Sequence, residues 1–447
     1  MITSPAFRGK RYAVLGLARS GLATVDALLA SGAEVVAWDS RGEARAAVAD
    51  RVTLADPVEI DLEGFDAVIV TPGLPLNKHP IAGLAKAANV PVIGDIELFS
   101  QARASLPPHK VVGITGTNGK STTTALIHHI IQTAGIPTTL GGNIGLPILG
   151  QDPLPAGGIY VLELSSYQID LSQSLDCDVA VLLNITPDHL DRYDGFAGYA
   201  ASKTRLFEMQ SPGRVAVIAT EDDETRRIYS TLCHSPEGGN PAATSELDSR
   251  LRGNDTLVGV DRSSVTDQSA WPALQGPHNA QNAAVAIAVV RALGIPEEAI
   301  AQGLKTFPGL PHRMERVAER DGVLFVNDSK ATNPSSSSFA LASYPAIHWI
   351  LGGLPKGDRL DECVPMFDHV RAAYTIGEAG PLFARLLAEA GKPATESGTL
   401  ARAVNDAAQA AKPGEVVLLS PACASFDQFR DYEARGEAFR AAVRELA

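Results

Sequence analysis

Short apolar runs recur along the chain. Each is followed by a glycine-containing turn and then by a stretch with apolar residues three and four apart. In the first third, the runs 12–15, 34–38 and 65–70 predict strands, with a turn over 16–21 and a helix over 22–30 between the first two. A fresh start follows at Lys110. Strands are expected there at 111–115, 159–164, 179–185 and 215–219, and an Ala-rich helix at 280–293 is ended by Gly294. The last third opens near Pro311 and alternates again, with strands at 323–327, 348–351, 373–376 and 416–419 and a closing helix over 427–446. Alternation of this kind implies three successive α/β units, with boundaries near residues 100 and 310. Residues 233–256, rich in Gly, Pro, Ser, Asn and charge, fit none of the units and read as a flexible surface insertion.

The second unit opens with VVGITGTNGKS over 111–121. An apolar strand feeds a loop with Gly116 and Gly119, then Lys120 and Ser121, and a helical pattern follows. This is the build of a phosphate cradle: glycines let loop amides turn inward, and a helix N-terminus adds positive potential. Lys120 has the reach for the β- and γ-phosphates, and the Ser121 hydroxyl suits Mg²⁺. The register departs from G-x-x-x-x-G-K-[ST], because Ile114 stands where the first glycine belongs and Gly113 lies one position early. The plain alternative is a glycine turn before a helix; strand and helix together favour the cradle.

Other candidates lie at the carboxyl ends of predicted strands, where ligands of parallel sheets bind. The turn Gly16-Leu17-Ala18-Arg19-Ser20-Gly21 resembles a dinucleotide fingerprint but carries Ala18 in place of the middle glycine, which weighs against NAD. It suits a diphosphate held by Arg19, Ser20 and helix amides, with Asp39 bonding a ribose or base; an ordinary structural turn explains it equally well. Glu163 ends a strand where a second metal carboxylate belongs, although Ser165 and Ser166 also permit a helix-capping role. His189 sits in an acidic loop after another strand, and ligand and structural readings balance. Arg313 marks a junction from which it would clamp a γ-phosphate. Lys330, Lys356 and Ser425 suit an anionic substrate or, equally, a solvated surface.

Composition removes other classes. At 447 residues, with 45% apolar and 20% charged content, the chain is expected to be a multidomain globular protein. A net charge of −13 argues against a nucleic-acid partner. Four scattered cysteines without a C-x-x-C spacing argue against a disulfide framework or zinc site and for a reducing cytoplasm. No apolar run has the length of a membrane span, and the first residues lack the pattern of a signal peptide.

The motifs together resemble the Mur ligase family of cell-wall enzymes. The matching pieces are TGTNGKS at 115–121, GGNIG at 141–145, LELSSYQ at 162–168, NITPDHLDRY at 184–193, HNAQN at 278–282, LPHR at 310–313, NDSKATN at 327–333 and LSPACASFDQF at 419–429. They stand in family order across nearly the whole chain. The resemblance implies a Rossmann-like N-terminal domain over 1–99 that binds a UDP-sugar. A central P-loop-type ATPase domain over 100–309 and a Rossmann-like C-terminal domain over 310–447, binding an amino acid, would follow. It implies ATP-dependent amide formation through an acyl phosphate. The Asp39-Ser40-Arg41 and SPACASFDQF stretches imply UDP-N-acetylmuramoyl-L-alanine and D-glutamate as substrates, with a monomeric enzyme expected.

By the same resemblance, Gly116, Thr117, Asn118, Gly119, Lys120, Ser121, Asn282, Arg313 and Asp328 would bind ATP. Arg19, Ser20, Asp39, Ser40, Arg41, Thr71 and Asn143 would bind the UDP-sugar, and Thr332, Lys356, Ser425 and Tyr432 the D-glutamate. Ser121, Glu163, His189 and a carbamylated Lys203 would hold two Mg²⁺ ions, with Lys120, His189 and Lys203 catalytic. A carbamate on Lys203 would reverse the sign of an ammonium that repels both ions. Two departures stand out: Leu354-Pro355 precede Lys356 where an acidic residue is common, and Tyr432 takes a place where phenylalanine also occurs. A folate-polyglutamate-type ligase lacks the first unit, and a regulatory nucleotide-binding module has no use for Glu163, His189 and Lys203 together.

Overall fold

The computed structural model describes residues 1–188, 192–233, 256–355 and 357–446. His189, Lys356 and all of the 233–256 segment except its two ends lie outside the described residues. Three sheets organise what is described. The first runs in the order Thr53–Leu54, Glu34–Trp38, Arg11–Leu15, Ala67–Val70, Val92–Ile93, with every pairing parallel. The second runs Thr256–Val260, Val215–Ala219, Val179–Leu182, His109–Thr115, Gly158–Glu163, Thr138–Gly142, again all parallel. The third runs Glu315–Arg320, Val323–Asn327, Val416–Leu419, Ile347–Gly352, Val370–Ile376, Ala394–Gly398; only its first strand is antiparallel. Central strands such as Val179–Leu182 and Val416–Leu419 are buried at every residue. That is why they read as continuous apolar runs rather than alternations.

The chain forms two compact units. One comprises residues 1–264 and 281–303 and carries the first two sheets; the other comprises 265–280 and 304–447 and carries the third. Within the first unit the two sheets share one apolar core, which runs from Tyr12, Val25 and Phe99 to Tyr160, Leu162 and Leu175. A polar joint reinforces it. Glu97, on the helix Asp95–Ala102, accepts the backbone N–H groups of Gln173 at 2.7 Å and Ser174 at 2.9 Å.

Several element limits differ from the sequence reading. The first helix is Arg19–Ala30, so the turn is shorter than expected and Gly21 lies inside the helix. The reason is steric: a Cβ on Gly21 would come within 1.9 Å of the Gly16 carbonyl oxygen, so only glycine lets the helix start this close to the strand. The strand expected over 179–185 ends at Leu182, because Asn184 turns away to bond a neighbouring loop. The closing helix begins at Tyr432 rather than 427, capped by Asp431, whose side chain accepts the Ala434 N–H at 2.7 Å. The ends of the 233–256 segment belong to regular elements, Cys233 to the helix Asp223–Cys233 and Thr256 to an edge strand.

Asp95 opens its helix nearly out of water, 5% exposed, and burial pushes its carboxyl up from 3.8 to about 6. Between those values the folded chain holds a proton that the unfolded chain has released. Stability therefore falls as pH rises through that window and stays lowered above it. Asp95→Asn is expected to raise stability near pH 8 by about 1–3 kcal/mol and to leave it unchanged below about pH 3.5. Denaturant melts at the two pH values check this; an Asn variant less stable near pH 8 contradicts it.

Candidate active site

The strand His109–Thr115 delivers the chain into the glycine loop at the carboxyl edge of the second sheet. Gly119 stands at φ +82° before the helix Lys120–Thr133, and no side chain caps that helix. A helix N-terminus reached through such a loop presents positive potential to an incoming anion. Space as well as φ demands the glycines. A Cβ on Gly119 would lie 2.4 Å from Asn282 Oδ1, and one on Gly116 would lie 2.9 Å from the Leu183 Cβ. Asn184 fixes the loop from the neighbouring strand end. Its backbone carbonyl accepts the Thr117 N–H at 2.9 Å and its side-chain oxygen accepts the Asn118 N–H at 2.7 Å. Lys120 folds back over the loop, donating to the Gly116 and Thr117 carbonyls at 2.8 Å each.

Two more groups close on the same loop. Lys203, on the helix Gly195–Glu208, is 1% exposed and donates to the Gly116 carbonyl at 3.0 Å, with its ammonium 4.6 Å from the Tyr199 ring centroid. Burial first, then the charge of Lys120, brings its amine down from 10.5 to about 7. Tyr199 in turn places its hydroxyl 3.2 Å from Thr117 Oγ1. Glu163 ends the adjacent strand and is 2% exposed. Asn143 donates to its Oε1 at 2.8 Å, while Oε2, also buried, has no hydrogen-bond partner among the described residues. The helix-capping alternative for this stretch belongs to Ser165 instead, which forms a capping box with Gln168. A buried carboxylate oxygen left open beside a phosphate cradle suits Mg²⁺, which takes one or two carboxylates and completes its shell with water and phosphate. Among the described residues no cluster of three or more His, Cys, Asp or Glu side chains offers a larger metal site.

At the first sheet, Asp39 is buried and spans the turn, accepting the Leu17 N–H at 2.7 Å and the Arg41 N–H at 2.9 Å. The Arg41 guanidinium beside it holds its carboxyl well below the usual carboxylate range. A Cβ on Gly16 would meet Thr71 Oγ1 at 2.6 Å, so Thr71 and the turn are in contact. Arg19 donates to the Gly145 carbonyl at 3.3 Å, two residues from Asn143. Ser20 and Thr71 line one small cavity with Gly16 and Asp95.

The second unit gathers its own set. Asp328 is buried and accepts from Ser420 Oγ at 2.9 Å and from the Met314 N–H at 3.2 Å; burial pushes its carboxyl up to about 7, and the neighbouring Arg313 opposes that rise. Tyr432 lies under the Lys330 ammonium, 3.7 Å from ring centroid to nitrogen, and its carbonyl accepts from Ser329 Oγ at 2.8 Å. Ser425 is buried beside Ala424, which exchanges backbone hydrogen bonds with Leu354. Thr332 follows in the same loop as Lys330. Arg313, Asp328, Thr332, Ser425 and Tyr432 thus belong to one unit, and the glycine loop, Asn282, Glu163, Lys203 and the Asp39 turn to the other.

The family model for the Mur ligase middle domain matches residues 114–290, and that for the Mur ligase glutamate ligase domain matches residues 312–423. The chain belongs to the Mur ligase family. Among curated relatives, a UDP-N-acetylmuramoylalanine--D-glutamate ligase of Novosphingobium aromaticivorans is 63% identical over 446 residues, covering 100% of this chain and 97% of that protein. One of the same name from Sphingopyxis alaskensis is 60% identical over 100% of both. Among solved structures, the UDP-N-acetylmuramoylalanyl-D-glutamyl-2,6-diaminopimelate--D-alanyl-D-alanyl ligase of Acinetobacter baumannii matches with a TM-score of 0.59 at 17% identity, over 98% of this chain and 93% of that one. The UDP-N-acetylmuramate-alanine ligase of Thermotoga maritima gives 0.56 at 16%, over 97% and 99%. At these identities the structures speak for the α/β fold alone.

Within this Mur ligase, sequence reasoning passed over Asn184 and Tyr199 as site residues. Asn184 carried a signal, since it stands at a strand end facing the loop. Tyr199 stands four residues before Lys203, one helical turn away. Asn184→Ala removes a side chain that both accepts from and donates to Asn118. Amide exchange at Asn118 is expected to quicken about thirtyfold, at about 1 kcal/mol for each of the two net hydrogen bonds lost; unchanged exchange would remove Asn184 from the loop's support.

Proposed function

We propose that this chain is an ATP-dependent ligase that joins D-glutamate to UDP-N-acetylmuramoyl-L-alanine, forming a C–N bond in peptidoglycan precursor synthesis. The observation that carries the chemistry is the meeting of an uncapped helix N-terminus, Lys120, buried Lys203 and the open Glu163 oxygen at one strand edge. The choice of substrates rests on full-length relatives of that name at 60% identity and above. A substrate carboxylate oxygen attacks the γ-phosphorus of ATP, and ADP leaves. The D-glutamate amine then attacks the acyl carbon, gives up a proton, and phosphate leaves. Phosphorylation matters because oxide is a hopeless leaving group, whereas phosphate is a good one.

In this reading Gly116 to Ser121 and Asn282 hold the triphosphate, and Arg313 and Asp328 complete the nucleotide site. Arg19, Ser20, Asp39, Ser40, Arg41, Thr71 and Asn143 form the UDP-sugar pocket, and Thr332, Lys356, Ser425 and Tyr432 the D-glutamate pocket. The layout is three domains, over 1–99, 100–309 and 310–447, one sheet to each. Ser121 and Glu163 would hold one Mg²⁺, and His189 with a carbamylated Lys203 a second. When bound, the metal offsets the charge of two anions that must approach each other. The carbamate is supported by the environment of Lys203. An amine titrating near 7 is substantially neutral at physiological pH, and the neutral nitrogen is what adds CO₂, losing one proton. Asn143 orients Glu163, and the loop carbonyls hold Lys120 folded back over the cradle. We place the enzyme in the cytoplasm as a monomer; among the described residues no helix is long and apolar enough to cross a membrane.

Phosphate release from ATP with UDP-N-acetylmuramoyl-L-alanine, with and without D-glutamate, tests the reading. Turnover that requires D-glutamate is expected, and release indifferent to it contradicts the assignment. In the same assay Lys203→Ala is expected to lose about a hundredfold or more in rate. A short carboxylic acid should restore part of it; no restoration counts against the carbamate.

A further inference from the structure

Arg192 is a cation spent on neutral partners. Its Nη1 donates to the Gly73 carbonyl at 3.1 Å, and its Nη2 donates to those of Pro72 at 3.2 Å and Leu74 at 2.9 Å. Its guanidinium lies 4.0 Å from the Tyr167 ring centroid. Among the described residues no carboxylate pairs with it. The two ends of this bridge belong to different sheets. The turn at 71–74 ends the first-sheet strand Ala67–Val70; it closes with the Leu74 N–H on the Thr71 carbonyl at 3.0 Å, and Thr71 packs on Gly16. Tyr167 sits on the short helix Ser166–Asp170, four residues beyond Glu163 by the capped turn at Ser165. Tyr193 braces the bridge, stacking on Tyr167 at 6.0 Å and 14° and donating to Asp170 at 2.9 Å.

We propose that Arg192 is a positioning residue for the UDP-sugar: it fixes the turn at 71–74 against the element that follows Glu163, so that the sugar-nucleotide pocket and the phosphate-transfer edge keep one geometry. The inference rests on the reading of the first sheet as the UDP-sugar pocket. A planar guanidinium suits the task. One face stacks on an aromatic ring while the edge donates to three carbonyls that converge, which a lysine ammonium cannot do at once. Three carbonyls bonded by one charged donor group also hold a turn that has few bonds of its own. Removing the donor loosens Thr71 where it meets Gly16, and leaves the glycine loop, held by Asn184, as it was.

The test compares Arg192→Gln and Arg192→Lys with Arg41→Ala, a change inside the pocket itself. For Arg192→Gln, the UDP-N-acetylmuramoyl-L-alanine KM and its calorimetric Kd are expected to rise about tenfold, as loss of charge-assisted hydrogen bonds implies. The KM values for ATP and D-glutamate should stay within about twofold, and Arg192→Lys should fall between Gln and wild type. Hydrogen exchange should quicken over 71–76 and stay unchanged over 116–121. If Arg41→Ala weakens the UDP-sugar and both Arg192 variants bind it normally, the inference fails and the pocket stands. If none of the three weakens it, the pocket reading fails and takes the inference with it. Equal losses for all three substrates, or faster exchange in the glycine loop, assign Arg192 to general stability and overturn the proposal. Should the Gln variant not fold, the Lys variant decides by the same measurements.

Discussion

A carboxylate oxygen of Glu163 is buried at the end of the strand Gly158–Glu163 and has no donor among the described residues, while its twin is held by Asn143. Leaving such a group unsatisfied costs about 1–3 kcal/mol or more. The fold sustains this cost beside a glycine loop, an uncapped helix and two lysines. Lys120 and Lys203 both donate to the Gly116 carbonyl, so two cations meet on one peptide group, and the amine that is buried gives way by titrating near neutrality. Positive groups so close repel one another until negative charge arrives. Bound negative charge would relieve that repulsion.

Rigidity is the second theme. The first two sheets share one apolar core and are joined by Glu97, by Arg19 on the Gly145 carbonyl and by Arg192 on the 71–74 turn. Each joint is a charged side chain bonded to backbone rather than to an opposite charge. Such bonds set distances between elements without relying on flexible ion pairs, whose worth at a surface is small. Two substrates whose reacting atoms must meet in line benefit from a base that does not flex.

Much of this was legible in the chain. The buried parallel strands 215–219, 323–327 and 416–419 were read to the residue, because both faces are covered and the apolar run coincides with the strand. The phosphate loop declared itself through its glycines, Lys120 and Ser121. Edge strands such as Thr53–Leu54 and Val92–Ile93 escaped notice, since two residues carry no periodicity. Helix starts were misjudged where a glycine permits close approach, at Gly21, or where the decisive cap lies downstream, at Asp431. Arg192 was hidden for another reason. Its hydrogen-bond partners lie 118 to 120 residues away in sequence, which no local pattern encodes.

The central claim is that the Glu163 edge holds a metal against nucleotide phosphates. Crystals of the protein with Mn²⁺ and a non-hydrolysable ATP analogue test it through anomalous scattering. The account predicts a manganese peak bonded to Ser121 and Glu163 oxygens, with the analogue's phosphates lying on the 116–121 amides. Nucleotide bound elsewhere with the glycine loop empty, or manganese with no bond to Glu163, would contradict it.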